Sequence, residues 1–157
     1  MEAVRSGRGR TDKCLVVATH KGEEQTSRMT KKFGLYFLVE VLVIFMVGAA
    51  FSLIENKLHA GAIAGSLFVL LGLWIVAPGL KNAEYRKRPT FFAGLLHLFG
   101  SALPLLISRF AQADLKFEDV RVMGLTGPQF HQVSNVIYMI LMAATAFDWF
   151  RSRAKHK

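Results

Sequence analysis

Three side chains that can do chemistry lie inside apolar stretches of this sequence. Glu40 is the single acid of an apolar run over residues 33–54, and His97 and Ser101 share a later run over residues 91–107. An ionisable group in such a setting is costly to bury and commonly marks a proton relay, a substrate path or a cofactor site. Glu40, His97 and Ser101 are therefore the first candidates for a functional site.

Glu40 and His97 are predicted to lie at similar depth in a membrane. Glu40 is seven residues past Phe33 and His97 is six residues past Phe91, which places each about 9–10 Å from the same bilayer edge. We expect a hydrogen bond between the two side chains, because it would offset part of the cost of burying them. The pair holds two helices together, carries a proton, or does not form at all, and the sequence leaves these alternatives open.

Two more histidines, His59 and His131, are predicted at the outer membrane surface, where the second and fourth apolar runs begin. Imidazoles from neighbouring helices can ligate haem or a metal, although interfacial histidines are also ordinary surface residues. The sequence has no HExxH zinc motif, Walker loop, GxSxG elbow or dinucleotide fingerprint. It therefore predicts no catalytic residue, no metal and no cofactor.

Four apolar segments would position these residues. They cover residues 33–54, 58–80, 91–107 and 133–150. About 20 apolar residues cross the ~30 Å hydrocarbon core of a bilayer, and 52% of the 157 residues are hydrophobic. The sequence thus predicts an all-α, polytopic membrane protein with a four-transmembrane-helix bundle. A cleaved signal peptide ending near Gly48-Ala49-Ala50 is the alternative for the first run, and both Glu40 and the long polar segment before the run oppose it.

The positive charge of the chain is distributed unevenly around these runs. Of the 20 Lys and Arg residues, the N-terminal tail, the second loop and the C-terminal tail hold 16, and the other two loops hold 4. The positive-inside rule then predicts that both termini are cytoplasmic and that the protein lies in a cell membrane, either the plasma membrane or a bacterial inner membrane. Basic residues beside apolar runs favour contact with anionic lipid head groups over nucleic acid.

The tails and the third loop differ in composition. Residues 1–32 and 151–157 are basic and poor in apolar groups, so we expect a disordered cytoplasmic tail at residues 1–32. Met29-Thr30-Lys31 is typical of the start of a small membrane protein, which makes residues 1–28 a hypothetical extension. The outer loop, residues 108–132, is apolar enough to form a folded cap, with turns at Gly124 and Gly127-Pro128.

Small residues form stripes on the predicted helices. Gly61, Gly65, Gly72 and Gly79 fall within about 40° of one direction on the second helix at ~100° per residue. Such a groove lets helices approach closely, either within the bundle or in a homo-oligomer. On the third helix a second stripe of small and polar residues is predicted to face the bundle interior, comprising Gly94, His97, Ser101, Pro104 and Ser108. The remaining surface of this helix, which includes Leu98, Phe99 and Leu106, is predicted to face lipid.

These features predict a small integral membrane protein that works through helix packing, as a non-enzymatic accessory or scaffold subunit of a larger membrane complex. One alternative is a proton-coupled transporter or channel component that uses Glu40. Another is a lipid- or quinone-binding membrane protein that uses His97. The sequence does not decide between these three functions.

Overall fold

The computed structural model describes the backbone of residues 8–154 and the side chains of residues 30–154. Four helices in this part of the chain are long and apolar enough to cross a membrane. We number them as spans 1 to 4; they cover Thr30–Leu53, Lys57–Lys81, Pro89–Ala111 and Gly127–Ala154. The prediction of four apolar helices is confirmed.

The chain forms six α-helices, one π-helical segment and a short hairpin within the described residues. Span 1 is the second half of α1 (Arg8–Leu53), and span 2 is α2 (Lys57–Lys81). The short α3 (Ala83–Arg86) precedes span 3, which comprises α4 (Pro89–His97), the π-helical segment (Leu98–Ala102) and α5 (Leu103–Ala111). The strands β1 (Arg121–Val122) and β2 (Leu125–Thr126) lead into α6 (Gly127–Ala154), which is span 4.

The four spans form a bundle in which each helix has two neighbours. Span 1 packs against spans 2 and 4, and span 3 packs against the same two helices. We call the end of the bundle that holds Phe33, Arg88 and Trp149 the tail end, and the opposite end, with Lys57 and the hairpin, the loop end.

Helix α1 continues beyond span 1 toward the N-terminus as far as Arg8. Composition predicts disorder over residues 1–32, whereas the structure places residues 8–32 in a helix. Lys, Arg, Glu and Gln, which are frequent in residues 21–32, lose little rotamer freedom in a helix. They therefore extend a helix that the apolar segment has already nucleated. Residues 1–7 and 155–157 of the predicted tails lie outside the described residues.

Span 4 begins at Gly127, six residues before the start predicted from the apolar run. Thr126 and Gln129 form a capping box: the Thr126 backbone N–H donates to Gln129 Oε1 at 3.0 Å, and the Gln129 backbone N–H donates to Thr126 Oγ1 at 3.4 Å. Pro128 suits the first turn, where its missing N–H costs nothing. The helix starts at its cap rather than at its first apolar residue.

The loop between spans 3 and 4 is folded. Strands β1 and β2 pair antiparallel around Met123 and Gly124, whose φ angles of 52° and 86° are those of a type I′ turn. Val120, Val122 and Phe130 form a small buried cluster beneath the hairpin. A folded cap agrees with the sequence-based expectation, but Gly127-Pro128 starts a helix instead of making a turn.

The glycine stripe of span 2 faces span 3. Each of these glycines lies against a side chain that an added Cβ would contact: Gly61 against Arg109, Gly65 against Leu106, Gly72 against Leu98 and Gly79 against Phe91. At Gly65 the nearest atom would be only 2.9 Å away, and at Gly79 a Cβ would overlap the phenylalanine ring. The groove therefore serves packing within the bundle, the first of the two predicted uses.

The π-helical segment changes which residues of span 3 face span 2. Leu103 donates its backbone N–H to Leu98 O, one residue further back than in an α-helix. The following Pro104 has no N–H to give to Gly100, so the wider turn relieves a site where a regular helix would be broken. Leu106, which follows the wider turn, consequently packs against span 2, and Leu98 packs there because it lies one helical turn after Gly94, which also contacts span 2. The prediction that these two leucines face lipid is wrong.

Candidate functional site

A cavity of about 720 Å³ lies between the spans in the half of the bundle nearest the loop end. Pockets that bind small molecules usually measure about 300–1,000 Å³. All four spans contribute to the wall, which is mainly apolar. Its apolar residues include Ile44, Val47, Phe51, Ala64, Leu105 and Met139. The cavity is large enough for a lipid-like molecule.

The end of the cavity that lies deeper in the bundle, away from the loop end, is polar. His97, Ser101, Ser134 and Tyr138 line it, and the His97 side chain is only 2% exposed. Among the described residues, neither ring nitrogen of His97 nor the hydroxyl of Ser134 makes a hydrogen bond of normal length, although the Phe68 backbone carbonyl lies close enough to the imidazole to interact with it weakly. Because a buried polar atom without a partner costs about 1–3 kcal/mol, these atoms are suited to a bound molecule.

Aromatic rings hold His97 in place. Its ring makes edge contacts with Phe68, at 5.7 Å between centroids, and with Tyr138, at 5.4 Å. His97 ends α4 and Ser101 lies in the π-helical segment that follows, so the irregular turn presents both to the cavity. π-helical turns inside α-helices are frequent at functional sites.

Glu40 and His97 do not form the hydrogen bond that the sequence predicts. Glu40 Oε1 lies 2.8 Å from the Thr145 hydroxyl, and Oε2 has no partner among the described residues. Tyr138 stands between the two: its hydroxyl donates to the backbone carbonyl of Glu40 at 2.6 Å while its ring contacts His97. Glu40 and His97 therefore lie at similar depth and both contact Tyr138, but they do not contact each other. Glu40 does not line the cavity.

The contacts of Thr145 favour a neutral Glu40 side chain. The Thr145 hydroxyl lies within hydrogen-bond distance of both Glu40 Oε1 and Leu141 O, yet it has one hydrogen to donate. If Glu40 is protonated, its O–H donates to Thr145 and the threonine hydrogen goes to Leu141. A carboxylate would leave one of the two contacts without a hydrogen. The geometry therefore fits a carboxylic acid.

The end of the cavity nearest the loop end of the bundle is basic. Lys57, Arg109 and His131 line it, together with Phe117 from the folded loop. Arg109 lies over the Phe117 ring at 4.6 Å and His131 meets the same ring edge-on at 6.3 Å. Both His59 and His131 are exposed, but His59 is not part of the wall. The two histidines predicted at the outer surface therefore have different surroundings.

Asp148 is a structural site that the sequence interpretation missed. Asp148 is fully buried and accepts hydrogen bonds from the backbone and hydroxyl of Thr90, at 3.0 and 2.8 Å. Arg88 lies 3.7 Å away. Asp148 thus caps the start of span 3 from another helix, an arrangement that no local spacing reveals.

Aromatic rings surround this cap at the tail end. Arg88 lies over the Phe33 ring at 6.0 Å, and Phe33 stacks on Tyr85 at 5.8 Å. Tyr85 donates its hydroxyl to Ile75 O at 2.8 Å, and burial raises the pKa of this phenol. The tail end is therefore tightly packed, whereas the loop end contains the cavity.

Comparison with protein-family models, with curated proteins and with solved structures finds no match to this chain. The residues whose side chains are described contain no group of three His, Cys, Asp or Glu that could hold a metal ion. The geometry itself offers an apolar chamber with hydrogen-bonding groups at one end and positive charge at the other.

Proposed function

We propose that this protein is an integral membrane protein whose cavity binds a lipophilic molecule with a hydrogen-bonding oxygen, such as a quinone or a lipid. The observation that carries the proposal is that His97 lines the apolar cavity and that its ring nitrogens make no hydrogen bond of normal length among the described residues. A neutral imidazole offers one donor and one acceptor, so a ligand carbonyl or hydroxyl can complete its hydrogen bonding. We assign no reaction to this site.

Two observations favour ligand binding over the other functions considered. The glycine stripe that would serve an accessory or scaffold subunit is covered by span 3, so helix association would have to use the apolar outer faces, such as Leu38, Leu42 and Phe45 on span 1. The carboxyl of Glu40, on which a proton-coupled transporter would depend, packs against Thr145 away from the cavity. Both functions remain predictions.

The charge distribution suggests how the molecule sits in a cell membrane. Basic residues are concentrated at the tail end, where positive-inside bias favours the cytoplasm and contact with anionic lipid head groups. In this orientation the loop end faces outward and the cavity lies in the outer half of the bilayer. Lipophilic ligands would then enter from the outer leaflet or from the outer surface.

Filling the cavity tests the proposal. Gly48 lines the cavity, and a Cβ at this position meets no atom within 4 Å, so Gly48→Phe should fold while occupying the chamber. Leu42→Phe adds a ring on the exposed outer face of the same helix and is the matched control. Native mass spectrometry in mild detergent would detect a retained molecule, and solvent extraction would identify it.

The wild-type protein and Leu42→Phe should carry the molecule, or bind an added short-chain quinone or lipid, with equal stoichiometry. Gly48→Phe should lose it. Equal binding by Gly48→Phe and wild type would contradict the proposal, as would a wild-type protein that neither retains nor takes up any lipophilic molecule.

A further inference from the structure

We infer that the cavity selects a bipolar amphiphile, a chain with an anionic group at Arg109 and Lys57 and a hydrogen-bonding oxygen at His97. The inference rests on the proposed function and adds the charge and length of the ligand. It follows from three features of the cavity, namely its charge, the position of the Arg109 side chain, and the spacing between its two polar ends.

The cavity wall carries positive charge without acids. Lys57 and Arg109 line it and no Asp or Glu does. Among the described residues, Arg109 has neither an ion pair nor a hydrogen bond to a carboxylate. A partly buried cation without a counter-ion is costly, and an anion in the cavity would remove that cost.

The Arg109 side chain is directed into the bundle. Its guanidinium lies beside Gly61, where a Cβ would stand 3.4 Å from Nε, and over the ring of Phe117. Gly61 thus leaves room for the guanidinium, and the ring fixes its plane. Planar guanidinium groups bind carboxylates and phosphates through two parallel hydrogen bonds, so the site is suited to either anion.

The two polar ends of the cavity are separated by about seven residues of helix. The Arg109 guanidinium is level with Gly61, and the His97 ring contacts Phe68, seven residues later on span 2. At ~1.5 Å per residue this is about 10 Å along the bundle axis. A medium-length alkyl chain of the decanoate class spans such a distance, with the apolar wall around it.

A set of four matched ligands tests the inference. They are ω-hydroxydecanoate, decanoate, methyl ω-hydroxydecanoate and methyl decanoate, which differ only in the charge of one end and the hydroxyl of the other. Decyl phosphate distinguishes a phosphate head group from a carboxylate. Affinities for the full-length protein in nanodiscs would be measured by isothermal titration, with each ligand's partitioning into empty nanodiscs subtracted.

The wild-type protein should bind ω-hydroxydecanoate most tightly. Arg109→Met should weaken both acids by about tenfold or more and leave both methyl esters unchanged, because a hydrogen bond to a charged group contributes more than a neutral one. Arg109→Lys should restore part of the loss. His97→Phe should make the hydroxylated ligands bind no more tightly than those without the hydroxyl, for the acids and for the esters. Lys57→Met provides a second test of the charged end.

Equal affinity of acids and esters for the wild type would overturn the inference, as would an Arg109→Met effect that is the same for both. If none of these ligands binds, the inference also fails, and the Gly48→Phe comparison with quinones and lipids then decides whether the proposed function survives. Tighter binding of decyl phosphate than of decanoate would retain the anionic site and identify its head group as phosphate.

Discussion

At His97 the proposed binding of a ligand and the stability of the fold make opposite demands. Its ring is buried against Phe68 and Tyr138, yet neither nitrogen makes a hydrogen bond of normal length among the described residues. An apolar ring of similar size would make the same edge contacts without the desolvation cost. A polar group kept in such a place is typical of a binding site, where activity and stability often conflict.

Replacing His97 by phenylalanine should therefore stabilise the ligand-free protein. We expect a gain of about 1–3 kcal/mol, measured as a higher midpoint of thermal unfolding after delipidation. His59→Phe, at an exposed position, should leave the midpoint unchanged. A clear loss of stability in His97→Phe would show that the imidazole already has partners and is a structural residue.

For Asp148, in contrast to His97, we expect that replacing the side chain destabilises the protein. Asp148→Ala would leave the backbone N–H of Thr90 and the Arg88 side chain without their acceptor, and should cost about 2–3 kcal/mol. Asp148→Asn keeps an acceptor for Thr90 and should cost less. Equilibrium unfolding in mixed micelles would measure both, and Asp114→Ala, an exposed acid, should be neutral.

At the scale of helices, close packing depends on where the glycines lie. Gly79 is buried against Phe91, whereas a Cβ at Gly48 meets nothing within 4 Å. Gly79→Ala should cost about 1–3 kcal/mol through overpacking. Gly48→Ala should be neutral or gain up to about 1 kcal/mol through helix propensity.

The same unfolding assay would measure both glycine variants. Equal stability of Gly79→Ala and wild type would show that spans 2 and 3 are further apart than the structure places them. A destabilised Gly48→Ala would mean that a second surface covers Gly48 in the membrane.

Periodic features of the helices could be predicted from the sequence, and local or long-range exceptions could not. Apolar run length found the four spans, and the period of 3.6 residues aligned the glycines of span 2. The same period failed for Leu106 on span 3, because the π turn before Pro104 changes which of the residues after it face span 2. Thr126 and Gln129 did carry a capping signal, which would have moved the start of span 4 to Gly127.

The candidate site was only partly predictable for a related reason. Polarity within apolar runs selected His97, Ser101 and Glu40, and the structure places the first two in one cavity. Depth along a helix does not determine the direction in which a side chain points, however, so the predicted hydrogen bond between Glu40 and His97 was wrong. The helical period also aligns Ser134 and Tyr138 on one face of span 4. That they share a cavity with Arg109 depends on the packing of separate helices, as does the contact of Asp148 with Thr90 across 58 residues of sequence.

The whole molecule has two different ends, and its orientation in the membrane can be tested directly. In a Cys14→Ser background, Lys87→Cys lies at the tail end and Glu55→Cys at the loop end, and both positions are exposed. Positive-inside bias predicts that an impermeant maleimide labels Glu55→Cys on intact cells and labels Lys87→Cys only after permeabilisation. The reverse pattern would place the cavity in the cytoplasmic half of the bilayer.

The central claim is that His97 binds a ligand inside the bundle, and nuclear magnetic resonance of its ring tests this most directly. Protein labelled with ¹⁵N-histidine would be reconstituted in bilayers, and the ring nitrogen signals followed as ω-hydroxydecanoate or a short-chain quinone is added. We expect the His97 signals to move in proportion to occupancy while those of the exposed His59 stay fixed. Saturable binding with unchanged His97 signals would contradict the account.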